Sequence, residues 1–224
     1  MSPAGIVDAA RARGINVLGI CDHNTARNVP YVLRAALGTG VTVLPGLEVC
    51  SREEVHVLTF FDTEEAALAM QEAVYARLEG TNNPDVFGMQ VVANELGEVE
   101  GFEDRLLIGA TGLSIDEIAA HARALGGLVI PAHIDRQAYS LVGQLGFIPP
   151  RLDADALEIS YRTKANPARE TIPGIERFAL ITGSDAHDLP DLGRAITRFF
   201  LETRSLDEIR MALAGRDGRR VEID

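Results

Sequence analysis

Four of the five histidines in this sequence, together with several carboxylates, lie where apolar runs begin or end. The run that closes at Thr182 is followed by Asp185 and His187, a carboxylate and an imidazole two positions apart. Both groups bind divalent cations such as zinc, manganese and iron. Similar positions at other apolar runs are held by Asp22, His23, Glu48, His56 and His133. The sequence therefore predicts a metal site if the ends of these runs meet.

Each candidate also has a plain structural alternative, because a lone histidine at a strand end is more often an ordinary polar residue than a ligand. His121 is an example: it falls on the polar face of a predicted helix, one turn after Glu117, where a solvent-exposed pair is the better account. Four histidines accompanied by three carboxylates favour metal binding. Gly46 and Gly183 beside them either admit close backbone approach or are simple turn glycines.

The apolar runs predict short buried strands separated by amphipathic helices. Six strands are expected, near residues 17, 42, 56, 129, 157 and 180. Ser114 with Glu117, and Ser205 with Glu208, have the spacing of capping boxes at helix starts. Such alternation predicts a mainly parallel α/β arrangement, in which side chains at the C-terminal ends of the strands converge on one site.

The length of 224 residues fits one domain, 1–224. Residues 80–112, a polar and acidic stretch with a candidate hairpin at 90–102, interrupt the pattern. We expect this segment, called the insertion below, to be either a lid-like excursion or a plain surface loop.

The composition predicts a cytoplasmic protein. No run of about 18 apolar residues exists, and the N-terminus lacks the layout of a signal peptide, so we expect no membrane partner. Cys21 and Cys50 each close an apolar run and form no disulfide framework, which is typical of buried thiols in a reducing compartment.

The net charge of −12 bears on the partner. Affinity for extended nucleic acid comes mainly from Lys and Arg at phosphates, so this charge argues against such a partner and leaves a small anionic substrate. A metal site would reverse the local field whatever the global charge is. Oligomeric state is not indicated by any feature of the sequence.

Four ordered motifs resemble those of the PHP (polymerase and histidinol phosphatase) family of metal-dependent phosphoesterases. The similarity spans roughly residues 2–187, and the motifs are Asp22-His23-Asn24, Gly46-Leu47-Glu48 followed by His56, Pro131-Ala132-His133, and Ser184-Asp185-Ala186-His187. The resemblance implies a distorted (β/α)7 barrel that holds up to three divalent ions at the C-terminal ends of its strands. It also implies hydrolysis of phosphate esters.

The resemblance further implies roles for individual residues. The metal ligands would be His23, Glu48, His56, His133, Asp185 and His187. Asp22 would either bind metal as well or orient the neighbouring imidazole. Arg136 would grip a substrate phosphate through its planar guanidinium, with a rim salt bridge as the alternative. His133 or His187 would protonate the leaving group.

One departure from the family pattern concerns the start of the chain. The family begins with a strand bearing His-x-His, which supplies two ligands, and this sequence starts beyond it. Six predicted strands likewise leave a seven-stranded barrel without its first strand. A start assigned too far downstream, a truncated chain and a variant with a depleted site are the alternatives. We favour a lost N-terminus because the other ligand positions are intact.

The expected function is therefore hydrolysis of a phosphate ester, of phosphomonoesterase type, in a small anionic or nucleotide substrate, by water activated at two or three zinc, manganese or iron ions. Arg136, Lys164 and Arg169 would contact the anion if their loops fold over the site. The alternative is a PHP-fold metal-binding or regulatory module that has lost catalysis.

Overall fold

Strands and helices alternate along most of the chain, as the sequence predicts. The computed structural model describes residues 1–223. The strands are β1 (Val17–His23), β2 (Thr42–Cys50), β3 (His56–Phe60), β4 (Val91–Ala93), β5 (Val99–Phe102), β6 (Leu128–Pro131), β7 (Ala156–Ile159), β8 (Ala179–Thr182), β9 (Arg198–Phe200) and β10 (Arg220–Glu222). The helices are α1 (Pro3–Ala12), α2 (Val29–Ala36), α3 (Glu64–Tyr75), α4 (Pro84–Phe87), α5 (Ile115–Ala124), α6 (Leu141–Leu145), α7 (Ala165–Thr171) and α8 (Leu206–Leu213).

All six predicted strands are confirmed, and they form two sheets that lie side by side. β1, β2, β3 and β6 make a four-stranded sheet in that order, and β7 pairs with β8 in parallel. Two backbone hydrogen bonds join the sheets: Asp155 N donates to the Val129 carbonyl and Ile134 N to the Glu158 carbonyl, both at 2.9 Å. The architecture is thus an α/β fold with one curved layer of six strands.

Two features differ from the expected parallel barrel. β3 runs antiparallel to both of its neighbours, β2 and β6, because it follows β2 after a turn of only five residues. A closed seven-stranded barrel is not observed, since closure requires every strand to have two partners. Within residues 1–223, β1 and β8 each pair with a single strand.

The two faces of the strand layer have separate hydrophobic cores. The outer core packs the strands against the apolar faces of α1, α2, α3 and α5, through residues such as Val7, Val32, Met70 and Ile118. The inner core joins Leu44, Phe60 and Leu128 of the strands to the apolar face of α8, through Leu206, Ile209 and Leu213. Helix α8 therefore closes the end of the layer away from the candidate ligands.

Helix starts and turns confirm local predictions. Ser114 and Glu117 form the capping box of α5, with both reciprocal hydrogen bonds present. The side chain of Ser205 accepts a hydrogen bond from Glu208 N at the start of α8. The insertion contains α4 and a hairpin of β4 and β5. No helix in residues 1–223 has the length and hydrophobicity needed to cross a membrane.

Gly46 lies in β2 where the strands pack most closely. A Cβ atom there would lie 2.5 Å from the Thr59 carbonyl oxygen and 2.9 Å from the Phe60 ring. The backbone oxygen cannot move aside without disturbing the pairing of β2 and β3. Of the two alternatives for this glycine, the structure shows close backbone approach.

Gly46→Ala is therefore expected to lower the free energy of unfolding by about 1–3 kcal/mol, the usual range for overpacking. Urea denaturation followed by circular dichroism measures the change. Gly101→Ala, in β5, is the matched control. A Cβ atom at Gly101 would contact only the Arg27 guanidinium, at 3.8 Å. Equal stability changes in the two variants would contradict the prediction.

Candidate metal centre

The carboxylate of Glu48 is the centre of the candidate site. In the pairing of β1 with β2, His23 stands directly opposite Glu48. Glu48 Oε2 lies 3.5 Å from His23 Nδ1, and Glu48 Oε1 lies 2.8 Å from His56 Nδ1 and 3.3 Å from His133 Nε2. One buried carboxylate therefore contacts three imidazoles that belong to three different parts of the chain.

The reversal of β3 is what brings His56 into this group. His56 is the first residue of its strand and pairs with Cys50, the last residue of β2. In a parallel strand the first residue would lie at the opposite edge of the sheet. The ring centroids of His56 and His23 are 5.0 Å apart, and those of His56 and His133 are 5.3 Å apart.

Electrostatics favour an ionised Glu48 carboxylate and a neutral His23 imidazole. Burial alone would raise the pKa of Glu48, but the contacts with His133 and His56 outweigh it and hold that pKa well below its usual range. Burial lowers the pKa of His23, against the opposing attraction of Glu48. A neutral imidazole and an ionised carboxylate are the forms that bind metals.

The residues present fit a divalent cation. One ligand atom from each of His23, Glu48 and His56 can be chosen so that all three lie within 4.8 Å of one another. Nδ1 of His133 is buried and makes no hydrogen bond to the described residues, while the buried Nδ1 of His56 faces Glu48 Oε1 at 2.8 Å. Buried polar atoms are normally satisfied, so the His133 nitrogen indicates room for a ligand. Oxygen and imidazole donors suit zinc, manganese or iron.

Asp185 and His187 lie at the rim of this group. The rings of His187 and His23 have centroids 5.9 Å apart, and His187 Nδ1 is 3.8 Å from Asp185 Oδ1. The side chain of His187 is 65% exposed, whereas that of Asp185 is mostly buried. Arg136 donates a hydrogen bond to Asp185 Oδ2. The four-histidine group predicted from the sequence is thus brought together, with the expected phosphate-binding arginine beside it.

The remaining predicted residues lie further out. Asp22 Oδ2 accepts a hydrogen bond from the Asn28 side chain at 2.9 Å, at the start of α2. Lys164 and Arg169 are exposed. His121 is exposed on α5, as predicted.

The two cysteines take no part as thiolates. Cys50 is buried and Cys21 is half-buried, and neither forms a disulfide. Burial raises the pKa of Cys50 to about 12 and raises that of Cys21 as well. Both thiols are therefore protonated at neutral pH.

Glu158 is a residue of the site that the sequence analysis missed. It lies in β7, is buried, and accepts a hydrogen bond from His133 N at 3.0 Å. His133 has a φ of +30°, a left-handed conformation that this hydrogen bond supports. A Cβ at Gly183 would lie 2.5 Å from Glu158 Oε1, so a larger residue there would displace this carboxylate. Burial raises the pKa of Glu158 to about 7.

Arg194 is a second missed residue. Its guanidinium donates to the carbonyl oxygens of Ser184 at 2.6 Å and Asp185 at 2.8 Å, and lies 3.7 Å from the centroid of the Tyr161 ring. Asp185 has a φ of +45°. Arg194 thus fixes the strained turn that carries Asp185 and His187.

Asn24 links the site to the insertion. Its side-chain nitrogen donates to the carbonyl oxygens of Leu107 and Gly109, both at 2.8 Å, and its side-chain oxygen accepts from Cys50 N at 3.0 Å. These bonds attach the end of the insertion to the loop after β1.

The fold and the side chains together define an α/β protein with a candidate divalent-metal centre. The family model described as PHP-associated (PHP_C) matches residues 177–217, which include Asp185, His187 and Arg194. This match, over part of the chain, and the solved structures of similar fold agree with the PHP resemblance of the sequence motifs.

Three proteins illustrate the similarity. The uncharacterized protein YqxK of Bacillus subtilis is 25% identical over 96% of this chain and 56% of its own length. The lesion-specific endonuclease EndoQ of Pyrococcus furiosus has a TM-score of 0.68 and 23% identity over 99% of this chain and 53% of its own. A Bifidobacterium adolescentis protein, provisionally described as a metal-dependent phosphoesterase, has a TM-score of 0.59 and 20% identity, covering 95% and 90%.

The chain thus spans little more than half the length of the Bacillus protein and of EndoQ. A likeness to solved structures at these identities shows the fold.

The expectation against nucleic acid as a partner is wrong. Endonuclease Q has been crystallised with a 27-mer duplex that has an abasic lesion at the active site, and its TM-score with this chain is 0.68. The net charge of the whole chain was the basis for the expectation, and it does not report the field at one edge of the fold. A small substrate is likewise not supported by this likeness.

The raised pKa of Glu158 predicts a pH-dependent stability. In the metal-free protein Glu158 keeps its proton up to about pH 7, whereas in the unfolded chain it loses it near pH 4.5. The native state binds more protons between these values, so stability falls as pH rises through them. Glu158→Gln should therefore be more stable than the wild type above pH 7, by about 2–3 kcal/mol.

Urea denaturation in EDTA at pH 4.5 and pH 8 measures this difference, which should be small at the lower pH. Gln retains an acceptor for His133 N, so the variant changes the ionisation and keeps the hydrogen bond. Glu170→Gln, at an exposed position on α7, is the control. A difference from the wild type that is the same at both pH values would count against the assignment.

The contacts of Arg194 predict a loss of metal affinity in Arg194→Ala. Residues that orient metal ligands typically contribute 10–100-fold to affinity, and we expect a loss of about that size. Competition with a chromophoric zinc chelator measures it. Arg177→Ala is a matched control, because Arg177 also donates to loop carbonyl oxygens, those of Pro149, Pro150 and Gly174. Unchanged zinc affinity in Arg194→Ala would refute the positioning role.

Proposed function

We propose that this chain carries the metal centre of a phosphoesterase that hydrolyses phosphodiesters in nucleic acid. The observation that carries the proposal is the buried Glu48 carboxylate within 3.5 Å of three imidazoles, one of which, that of His133, has a buried Nδ1 without a hydrogen bond to the described residues. The likeness in fold to Endonuclease Q supports nucleic acid as the substrate class.

Two or three divalent ions, of zinc, manganese or iron, are proposed for the site. His23, Glu48, His56 and His133 would hold one part of the cluster, Asp185 and His187 the other. Ions bound there would supply charge stabilisation at the phosphate oxygens and would acidify water. Asp22 is proposed to act indirectly, because its carboxylate is engaged by Asn28 at the start of α2.

Arg136 is proposed to bind the phosphate. Its guanidinium donates to Asp185 and is one-third exposed, so the remaining N–H groups can face a ligand at the rim. A planar fork matches two phosphate oxygens. The same contact places the arginine within reach of the candidate metal ligands.

His187 is a better candidate than His133 for proton transfer to the leaving group. His133 is buried against Glu48, whereas His187 is exposed at the rim. His187 Nδ1 lies 3.2 Å from the Asp185 carbonyl oxygen, which can only accept, so Nδ1 donates there. Nε2 is then the ring nitrogen left to bind metal or exchange a proton.

The wider architecture belongs to the proposal too. We propose a distorted (β/α)7 barrel, with the unpaired edges of β1 and β8 as the place of its further strand. The ring centroids of His23, at the end of β1, and His187, in the loop after β8, are 5.9 Å apart, which supports this proposal. Residues 1–224 are proposed to be one domain with the insertion as part of it.

The test is cleavage by the purified chain loaded separately with Mn²⁺, Zn²⁺ or Fe²⁺. Fluorescently labelled single-stranded DNA, duplex DNA with an abasic site, and RNA are the substrates, and bis(4-nitrophenyl) phosphate is a simple diester without a base. We expect metal-dependent hydrolysis of the simple diester and of at least one nucleic acid. Glu48→Gln should lower it by more than about 100-fold, since even supporting residues contribute 10–100-fold.

Glu170→Gln is again the control and should cleave as the wild type does. Elemental analysis of each preparation gives the number of metals bound. Uptake of two or three ions without hydrolysis of any diester would contradict the proposal and would favour the metal-binding module instead.

A further inference from the structure

Tyr139 lies on the rim of the metal centre with one face of its ring against a candidate ligand. Its ring stacks on that of His56, with centroids 4.7 Å apart and planes inclined by 18°. Tyr139 is 44% exposed, so this large ring is far from buried although it lies next to a buried imidazole. An exposed aromatic ring beside a reactive centre is available for contact with a ligand.

The backbone of Tyr139 has an unfavourable conformation in this position. Its φ is +56°, a left-handed conformation that is uncommon for residues other than glycine. The Tyr139 carbonyl accepts a hydrogen bond from His56 N at 3.0 Å. The next residue, Ser140, is fully buried and caps α6 by accepting from Gly143 N. The ring is therefore presented on a fixed turn.

The hydroxyl group of Tyr139 does not explain why the ring lies beside His56. It makes no hydrogen bond within residues 1–223. Backbone strain that the surroundings maintain is found mostly at functional sites. The strain and the exposure together point to a role for the ring face itself.

The same loop carries the proposed phosphate ligand. Arg136 lies three residues before Tyr139, and the Ser140 hydroxyl donates to the Arg136 carbonyl oxygen at 2.5 Å, which ties the two ends of the loop together. Arg136 reaches Asp185 on one side of the centre, while Tyr139 covers His56 on another. A guanidinium for phosphate and a flat ring for a base are the two contacts that a nucleotide needs.

We propose that Tyr139 is a stacking platform for one nucleobase next to the phosphate at the metal centre. The inference rests on the proposed function and names a subsite for its substrate. Stacking on an aromatic ring tolerates every base because each has a π-face, so the subsite favours nucleic acid over simple diesters without selecting a sequence. Single-stranded or locally unpaired nucleic acid is the form that can present a base in this way.

A thermodynamic cycle tests the stacking directly. The wild type and Tyr139→Ala are titrated, with Mn²⁺ present, into a labelled single-stranded decanucleotide and into a set of decanucleotides with one abasic position each. Binding is followed by fluorescence anisotropy under conditions that leave the strands intact. We expect Tyr139→Ala to weaken binding of the full strand about tenfold. For one abasic position the same substitution should have little effect, because the stacked base is already absent.

Tyr139→Phe keeps the ring and should bind as the wild type does, whereas Tyr139→Leu keeps apolar bulk without a π-face and should bind as Tyr139→Ala does. Hydrolysis of bis(4-nitrophenyl) phosphate and the metal content of each variant are measured alongside. They report on the proposed function independently of the stacking.

Equal weakening for the full strand and for every abasic strand would overturn the inference and would show that Tyr139 only supports His56. Failure of the wild type to bind any strand, while it hydrolyses the simple diester, would also overturn it and leave the hydrolytic function standing. If no diester is hydrolysed but the effects of Tyr139→Ala and of one abasic position are coupled, the proposed hydrolytic function is rejected and the base-stacking subsite is retained.

Discussion

The structure of the site depends on one buried carboxylate, Glu48, shared by the imidazoles of His23, His56 and His133. A buried charge is costly unless it is paired, and these contacts compensate for its burial. The pairing of β1 with β2 supplies His23 and the reversal of β3 supplies His56. The inner and outer cores pack against the two faces of the strands that carry these residues. Loss of the carboxylate would leave the imidazoles without a common partner.

The ligands beyond the sheet are held by strained turns. His133 and Asp185 both have positive φ values, which cost on the order of 1–3 kcal/mol each when the residue is not glycine. Glu158 supports the first through a backbone amide and Arg194 the second through two carbonyl groups. Neither supporting residue needs to touch a metal. The rest of the fold therefore offsets the strain at His133 and Asp185, and so keeps two candidate ligands in positions that strand pairing alone does not determine.

The sequence predicted what depends on local patterns. Apolar runs predicted the six strands, and the polar residues at their ends predicted the candidate ligands. The direction of β3 could not be predicted from its composition, because a short apolar run is the same in either direction. The short turn between Cys50 and His56 was the available signal, since parallel strands need a longer connection.

The supporting residues were harder to recognise. Glu158 stands alone among apolar neighbours in a four-residue strand, and a carboxylate at an otherwise buried position was a sign that could have been used. Arg194 gave no such sign, because it is a loop arginine whose carbonyl partners are ten and nine residues away. Its role depends on how the loop after β8 folds back. The net charge failed to indicate the partner for the same reason. It is a sum over the whole chain and carries no information on where the charges lie in the folded protein.

The reversed strand also affects the order in which the site can assemble. Glu48 and His56 belong to one hairpin with a short turn, and closing a short loop costs little chain entropy. Such hairpins form within microseconds, whereas contacts between distant segments are made later in folding. Asp185 must be brought to the same place from near the other end of the chain. Local folding of the hairpin therefore brings Glu48 and His56 together, whereas Asp185 joins them only when the whole chain has folded.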